Sequence, residues 1–385
     1  MRIFHLVEFF SPVAGYVENY LPREEKLLGN EVMIVSSYAE LSRISSSVRV
    51  KINHRYLLYD GVIVKILPSI FGTYNNRPYI LMRGIVKTLR EFRPEVVCLP
   101  FININSLLII LLKPLLKYRI IATFGMPVID LDRSVLKHAA YLFFRYCFIP
   151  LFSKWVDHIV EATPENFRRT MMDFCINPLK VSFIPLGSDS ELFKRNEHDR
   201  KRIRGSLGID ENDVLYIYSG KIRKEKGLEL LIETFSRIIP TCNRAKLLII
   251  GDCDTKYANS IRRKVSDLKI VNYVIFHRIV PHNELPPFYS AADIAVWPGS
   301  PSISIIDAMS CSLPIIVKES GHVKHLLQYG NGFSFNNEND LCFYLKLLYN
   351  DPKLRREMGM KSRKLVEDEL DWKVIALKMN KLYSA

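Results

Sequence analysis

Short apolar strands alternate with helix-length segments along nearly the whole sequence, and the alternation runs twice with a polar stretch between. In the first block, residues 2–7, 32–37, 62–67, 96–99, 120–124, 158–162 and 181–185 read as strands, each a short apolar run bounded by turn residues. Residues 16–28, 80–92, 106–117 and 133–154 read as helices, the last bent or broken at Pro150. Thr163 before Pro164 marks a further helix start. In the second block, residues 214–219, 246–250, 273–276, 294–297 and 314–317 read as strands. Residues 227–239, 257–268, 284–291, 304–310 and 372–383 read as helices. Strands joined by helical crossovers pair in parallel. Two such blocks predict an α/β chain of two doubly wound, Rossmann-like domains facing across a cleft. The expected bounds are a first domain over 1–190, a charged linker over 191–212, a second domain over 213–370 and a C-terminal helix over 371–385 that packs back on the first domain.

Charge narrows the partners. Of 385 residues, 54 are Lys or Arg and 40 are Asp or Glu, a net charge of +14. Residues 41–150 hold 16 of the cations and 5 of the acids, so this one stretch carries +11. A confined basic block points to a specific surface for an anionic membrane, an anionic acceptor or a phosphorylated substrate, although a solvated face short of acids reads the same way. Zinc, RRM and KH patterns are missing, which leaves nucleic acid out as a partner. The seven cysteines include no CxxC pair, and most sit in apolar contexts, as buried thiols of a reducing compartment do. The start of the sequence does not read as a signal peptide, and the aliphatic run 107–112 is far short of a membrane span of about 20 residues. A cytoplasmic location is expected, peripheral on the inner membrane face.

Three loops carry candidate chemistry, each between a strand and a helix, where doubly wound folds bind ligands. The first is Gly220-Lys221-Ile222-Arg223-Lys224-Glu225-Lys226-Gly227. Gly220 permits a sharp turn, and Lys221 and Lys226 suit a diphosphate; read blandly, it is an exposed basic turn. The second runs from Trp297 through Gly299, Ser302, Ile303 and Ser304 to Asp307. Its small residues and helix start favour phosphate, its hydroxyls donate or cap, and Asp307 accepts from a ribose diol or from a neighbouring structural group. The third, Glu8 to Tyr16, brings Gly15 and Tyr16 to the mouth of the first helix, but without a GxGxxG pattern.

In order along the chain, these pieces resemble family 4 of the glycosyltransferases, which has the GT-B fold. Gly15-Tyr16, Gly29-Asn30-Glu31-Val32, Thr163-Pro164-Glu165, Pro185-Leu186-Gly187-Ser188-Asp189, Gly220 to Gly227, Gly251-Asp252, Ala292-Asp293, Asp307-Ala308-Met309, Leu313-Pro314 and Gly330-Asn331-Gly332 all fall in family order. The resemblance implies a retaining, metal-independent hexosyltransferase that uses a nucleotide-diphospho-sugar as co-substrate and needs no cofactor. It implies that Lys221 and Lys226 neutralise the donor diphosphate, Asp307 holds the ribose, and Ser302, Ile303 and Ser304 meet the phosphates. Arg278 and Ile279 would lie near the base, and the acceptor, lipid-linked or a glycan precursor, would sit by Gly15 and Tyr16. Two positions depart from the pattern. Gly299 stands where the family has the first Glu of Glu-x7-Glu, and Gly125 where it has an acceptor-domain histidine. These departures support the alternative of a catalytically silent relative that binds a membrane or a partner transferase. The aromatic and basic stretch 133–154 reads as an interfacial helix or as a core helix covering the sheet.

Overall fold

A computed structural model describes residues 1–39, 56–74, 77–100, 103–123, 142, 145–146, 149–174, 176–251 and 255–385. They divide into two compact units. The first takes the described residues up to Pro185 together with Ile375–Ala385, and the second is Leu186–Val374.

The strands of the first unit are β1 (Arg2–Phe10), β2 (Glu31–Ala39), β3 (Tyr56–Tyr59), β4 (Val62–Ile66), β5 (Ser69–Tyr74), β6 (Arg77–Met82), β7 (Val96–Pro100), β8 (Arg119–Thr123), β9 (His158–Glu161) and β10 (Val181–Phe183). Eight of them form one sheet in the order β10-β9-β8-β7-β1-β2-β4-β3, while β5 and β6 pair as a separate hairpin. Within the large sheet only β3 runs antiparallel to its neighbour. Side chains alternate across it. On one face, Phe4, Leu6, Val97, Leu99 and Ile120 pack with Ile85, Leu89 and Phe92 of helix Ile85–Phe92 and with Ile109 and Ile110 of helix Ile104–Leu116. From the other face, His5 and Cys98 meet Glu25 of helix Val17–Leu27 and Tyr383 of the C-terminal helix Trp372–Ser384.

In the second unit, β11 (Val214–Ser219), β12 (Ala245–Gly251), β13 (Val274–Arg278), β14 (Ile294–Trp297), β15 (Ile315–Lys318) and β16 (Gly332–Phe335) form a fully parallel sheet in the order β13-β12-β11-β14-β15-β16. Every residue of β11 and β14 is buried, which is why these strands read as unbroken apolar runs rather than as alternations. The chain fills the sheet outward from β11 to β13, then returns to β14 and fills the other side. The loops leaving β11 and β14 therefore part company at the carboxyl edge, the place where such sheets open a crevice. In the first unit the same reversal falls between β1 and β7.

Two local expectations are corrected. The helix expected over 80–92 begins only at Ile85, because residues up to Met82 are strand β6 and Gly84 turns at φ 92°. Residues 191–212 are not a bare linker. They hold helix Glu197–Ser206, capped by the Asn196 side chain and built into the second unit. Its Arg204 is buried and binds Asp293 at 3.2 Å, the Ala291 carbonyl at 2.9 Å and the Asp213 carbonyl at 2.7 Å, so part of the charge that looked solvated is internal. Of the long helix expected over 133–154, the described residues 142, 145–146 and 149–154 are helical, and helix Ile149–Trp155 carries Pro150. Residues 133–141, 143–144 and 147–148 lie outside the described residues.

Candidate functional site

At the reversal of the second sheet, the loops after β11 and β14 interlock through their backbones. Gly227 turns at φ 70°, and a Cβ there would stand 2.6 Å from the Pro298 carbonyl oxygen. A Cβ on Gly299 would stand 2.5 Å from the Glu225 carbonyl oxygen and 2.7 Å from that of Lys226. Neither contact tolerates a side chain, and the amide of Ser300 donates to the Glu225 carbonyl at 2.9 Å across the same seam. Gly220, at φ 148°, passes beside Tyr218 and Ser302. The two glycine-bearing motifs singled out in the sequence thus form one surface.

The two candidate lysines differ in what they do. Lys226 donates to the carbonyls of Ser300 and Pro301 at 3.0 and 2.9 Å, fastening the second loop to the first. Burial pushes its ammonium below the ordinary lysine range; Glu225 opposes this, and Lys221 and Arg223 reinforce it. Lys221, Arg223 and Lys224 are exposed at the rim. The backbone carbonyl of Lys221 accepts from the Tyr218 hydroxyl at 2.9 Å.

Ser304 opens the seven-residue helix Ser304–Ser310; its hydroxyl donates to the Ser219 carbonyl at 3.0 Å and pairs with the Ser302 hydroxyl at 2.8 Å. Ile303 takes the helical conformation just before it. Asp307 is 1% exposed, and both of its oxygens are engaged: Ser188 Oγ donates at 2.7 Å, and His282 Nε2 lies 2.8 Å from Oδ2. His282 in turn packs on the Phe193 ring at 4.8 Å between centroids. The carboxylate expected to face a ribose is therefore tied into its own domain, through two partners that the sequence reading missed. A histidine in the Pro281-His282-Asn283-Glu284 turn carries no periodic signal, and only the turn chemistry around Pro281 hinted at a special loop. Arg278 ends β13 at the same edge of the sheet and Ile279 follows it; Arg278 is exposed and Ile279 half-buried.

In the first unit, Gly15 turns at φ 67° and Tyr16 precedes helix Val17–Leu27. The Asn19 side chain accepts from the Tyr16 amide at 3.0 Å and donates to the Ser11 carbonyl at 2.9 Å, which fixes this loop. At the neighbouring β7 end, Asn103 caps helix Ile104–Leu116 and donates to Glu8 Oε1 at 3.1 Å. Both loops meet at the reversal of that sheet. Gly125 and Asp252 lie outside the described residues. Among the described residues no group of three His, Cys, Asp or Glu is placed to hold a metal ion.

Residues 199–365 match the sequence model of the family Glycosyl transferases group 1. A GDP-mannose-dependent alpha-(1-6)-phosphatidylinositol monomannoside mannosyltransferase of Mycolicibacterium smegmatis is 23% identical over 217 residues, 53% of this chain and 56% of that protein. An alpha-monoglucosyldiacylglycerol synthase of Streptococcus pneumoniae is 22% identical over 45% of this chain and 40% of its own length. The matches thus span about half the length of these curated relatives. Among solved structures, sucrose-phosphate synthase from Thermosynechococcus elongatus aligns with a TM-score of 0.72 at 17% identity, over 100% of this chain and 98% of its own. HepE from Anabaena, in complex with UDP and glucose, aligns with a TM-score of 0.74 at 14% identity over 100% of both chains. The chain has the GT-B fold.

Proposed function

We propose that the protein is a glycosyltransferase that takes a sugar from a nucleotide-diphospho-sugar bound at the β11/β14 edge of the second unit. The observation that carries this reading is the seam in which Gly227 and Gly299 exclude side chains while Lys221, Arg223 and Lys224 line the rim. Backbone held that tightly, next to fixed cations, suits a diphosphate whose charge rises as the bond to the sugar breaks. In this account Lys221 meets the diphosphate directly, and Lys226 holds the Ser302 loop in place against it. Gly220, Ser302, Ile303 and Ser304 supply close backbone and hydroxyl contacts, and Arg278 and Ile279 flank the base. Asp307 acts on the ribose side through His282 rather than by direct contact. The cations would do the work a metal does elsewhere, in a retaining, family 4 type transfer of a hexose.

The first unit would bind the acceptor near Gly15 and Tyr16. A lipid-linked acceptor or glycan precursor is favoured by its +11 stretch and by relatives named for phosphatidylinositol mannoside and diacylglycerol products. Such an acceptor places the protein at the cytoplasmic face of a membrane. A thermal-shift screen of UDP-, GDP- and ADP-sugars tests the donor site: one base class should stabilise the protein, and no stabilisation by any of them would sink the reading.

A second reading has specific support. Gly299 leaves no room for the carboxylate that family 4 enzymes carry there, and Asp307 is internally saturated. A silent GT-B protein that binds nucleotide-sugar, membrane or a partner transferase would show the thermal shift without turnover.

A further inference from the structure

Helix Ile104–Leu116 presents an apolar stripe to solvent. Ile104, Leu107, Leu111 and Leu115 fall three, four and four residues apart, on one side of the helix, and are 48%, 36%, 74% and 65% exposed. Its opposite side, Ile109 and Ile110, fills the core. Lys113, on the side of the helix away from the stripe, donates to the Trp155 carbonyl at 2.8 Å and to Asp157 at 2.7 Å, which sets the end of helix Ile149–Trp155, with Trp155 40% exposed, against helix Ile104–Leu116. Helix Ile85–Phe92 packs on the same face of the sheet, because Ile85, Leu89 and Phe92 share the core with Ile109 and Ile110. Its outer side and ends carry exposed Arg83, Lys87, Arg90 and Arg93; Lys87 shares Glu91 with Lys65. Lys117 is exposed at the far end of the stripe, and Lys154, next to Trp155, lines a cavity of about 380 Å³ with Arg145 and Lys180.

We infer that this face docks on an anionic bilayer, with the leucine stripe and Trp155 entering the headgroup boundary and the flanking cations meeting lipid phosphates. Exposed leucines gathered in one helical stripe, rather than scattered singly, mark a surface that something covers. A rim of cations around an apolar stripe complements a negatively charged lipid surface better than a second basic copy of the same chain. Thirteen residues, about 20 Å of helix, are too few to cross a bilayer but suffice to lie on one. The inference rests on the reading of the first unit as the side that meets a lipid acceptor, and it locates the contact on helix Ile104–Leu116 rather than on the 133–154 stretch.

The full chain carries its own reporter. Of its three tryptophans, Trp297 and Trp372 are buried, so a change of emission on vesicle binding belongs to Trp155. With phosphatidylglycerol/phosphatidylcholine vesicles at low salt and no nucleotide-sugar, the protein should co-float, and Trp155 emission should shift to the blue and be quenched by brominated lipid. Leu111→Asp with Leu115→Asp, both at exposed positions, should weaken binding by about tenfold or more. Arg90→Gln with Arg93→Gln should weaken it at low salt and reduce its salt dependence. Thermal melting of each variant should match the parent. Binding unchanged by the leucine pair, Trp155 emission indifferent to vesicles, or a self-associating chain that the leucine pair disperses while vesicles do not bind would each overturn the inference. Vesicle binding by a chain that turns over no donor would sink the transferase reading and leave this one standing.

Discussion

Lys221 and Lys226 look interchangeable in the motif Gly220 to Gly227, yet their surroundings separate them. Lys226 spends its donors on the Ser300 and Pro301 carbonyls, whereas Lys221 is exposed at the rim. Lys221→Ala should therefore lower kcat/KM for the donor by about 10²–10³ with an unchanged melting temperature. Lys226→Ala should lower both activity and melting temperature, since it frees the Ser302 loop. Equal thermal effects would contradict the division. A second residue-scale test is pH. Burial, reinforced by the nearby His322, pushes the His325 imidazole down to about 4. The unfolded chain takes up this proton near pH 6.5, so the folded state is at full strength above 6.5 and weakens as pH falls from there to 4, by up to roughly 3 kcal/mol. His325→Gln should flatten the loss of melting temperature across that window; an unaltered slope would refute the assignment. Residue chemistry was only partly legible in the sequence. The glycines and lysines of the β11 loop stood out because a strand and a helix bracket them. His282 did not, and Ser188 stood out only within the motif Pro185 to Asp189, because both reach Asp307 through the fold, from 25 and 119 positions away.

At the scale of elements, buried parallel strands were the easiest to read, since β14 is apolar throughout and β11 is apolar up to Ser219. The hairpin β5–β6 was missed because the apolar spacing of residues 80–92 continues through β6 into helix Ile85–Phe92, and only Gly84 breaks it. Helix Glu197–Ser206 was missed for a different reason: two of its cations, Arg200 and Arg204, face inward to carbonyls and Asp293, a placement that composition alone assigns to solvent. Arg204→Met should destabilise the second unit by about 3–5 kcal/mol, because Asp293 and three carbonyls lose a buried partner; a change within error in denaturant unfolding would show that the network is dispensable. In the first unit, Tyr383 donates to Glu25 Oε1 at 2.6 Å and lies 3.2 Å from the Cys98 sulfur, whose thiol burial pushes well up. Glu25 in turn lies 2.5 Å from His5. Tyr383→Phe should cost about 1–3 kcal/mol by leaving a buried carboxylate short of a donor, and Leu377→Ala, at an exposed position of the same helix, should cost little.

At the scale of the whole molecule, the uneven charge acquires two meanings. In the second unit the cations divide between buried structural partners such as Arg204 and a rim at Lys221, Arg223 and Lys224. In the first, exposed cations on helix Ile85–Phe92 lie beside the helix Ile104–Leu116 that exposes leucine. The order of its motifs made the GT-B fold legible, and the comparisons agree, while the seam that makes the donor surface became visible only once β11 and β14 stood side by side. The most direct measurement is the release of nucleoside diphosphate from UDP-, GDP- and ADP-sugars by the intact chain in the presence of anionic glycolipid vesicles. The account predicts turnover with one base class that Lys221→Ala lowers by about 10²–10³ while the protein stays folded and vesicle-bound. Turnover that Lys221→Ala leaves unchanged, or none with any donor, would contradict it.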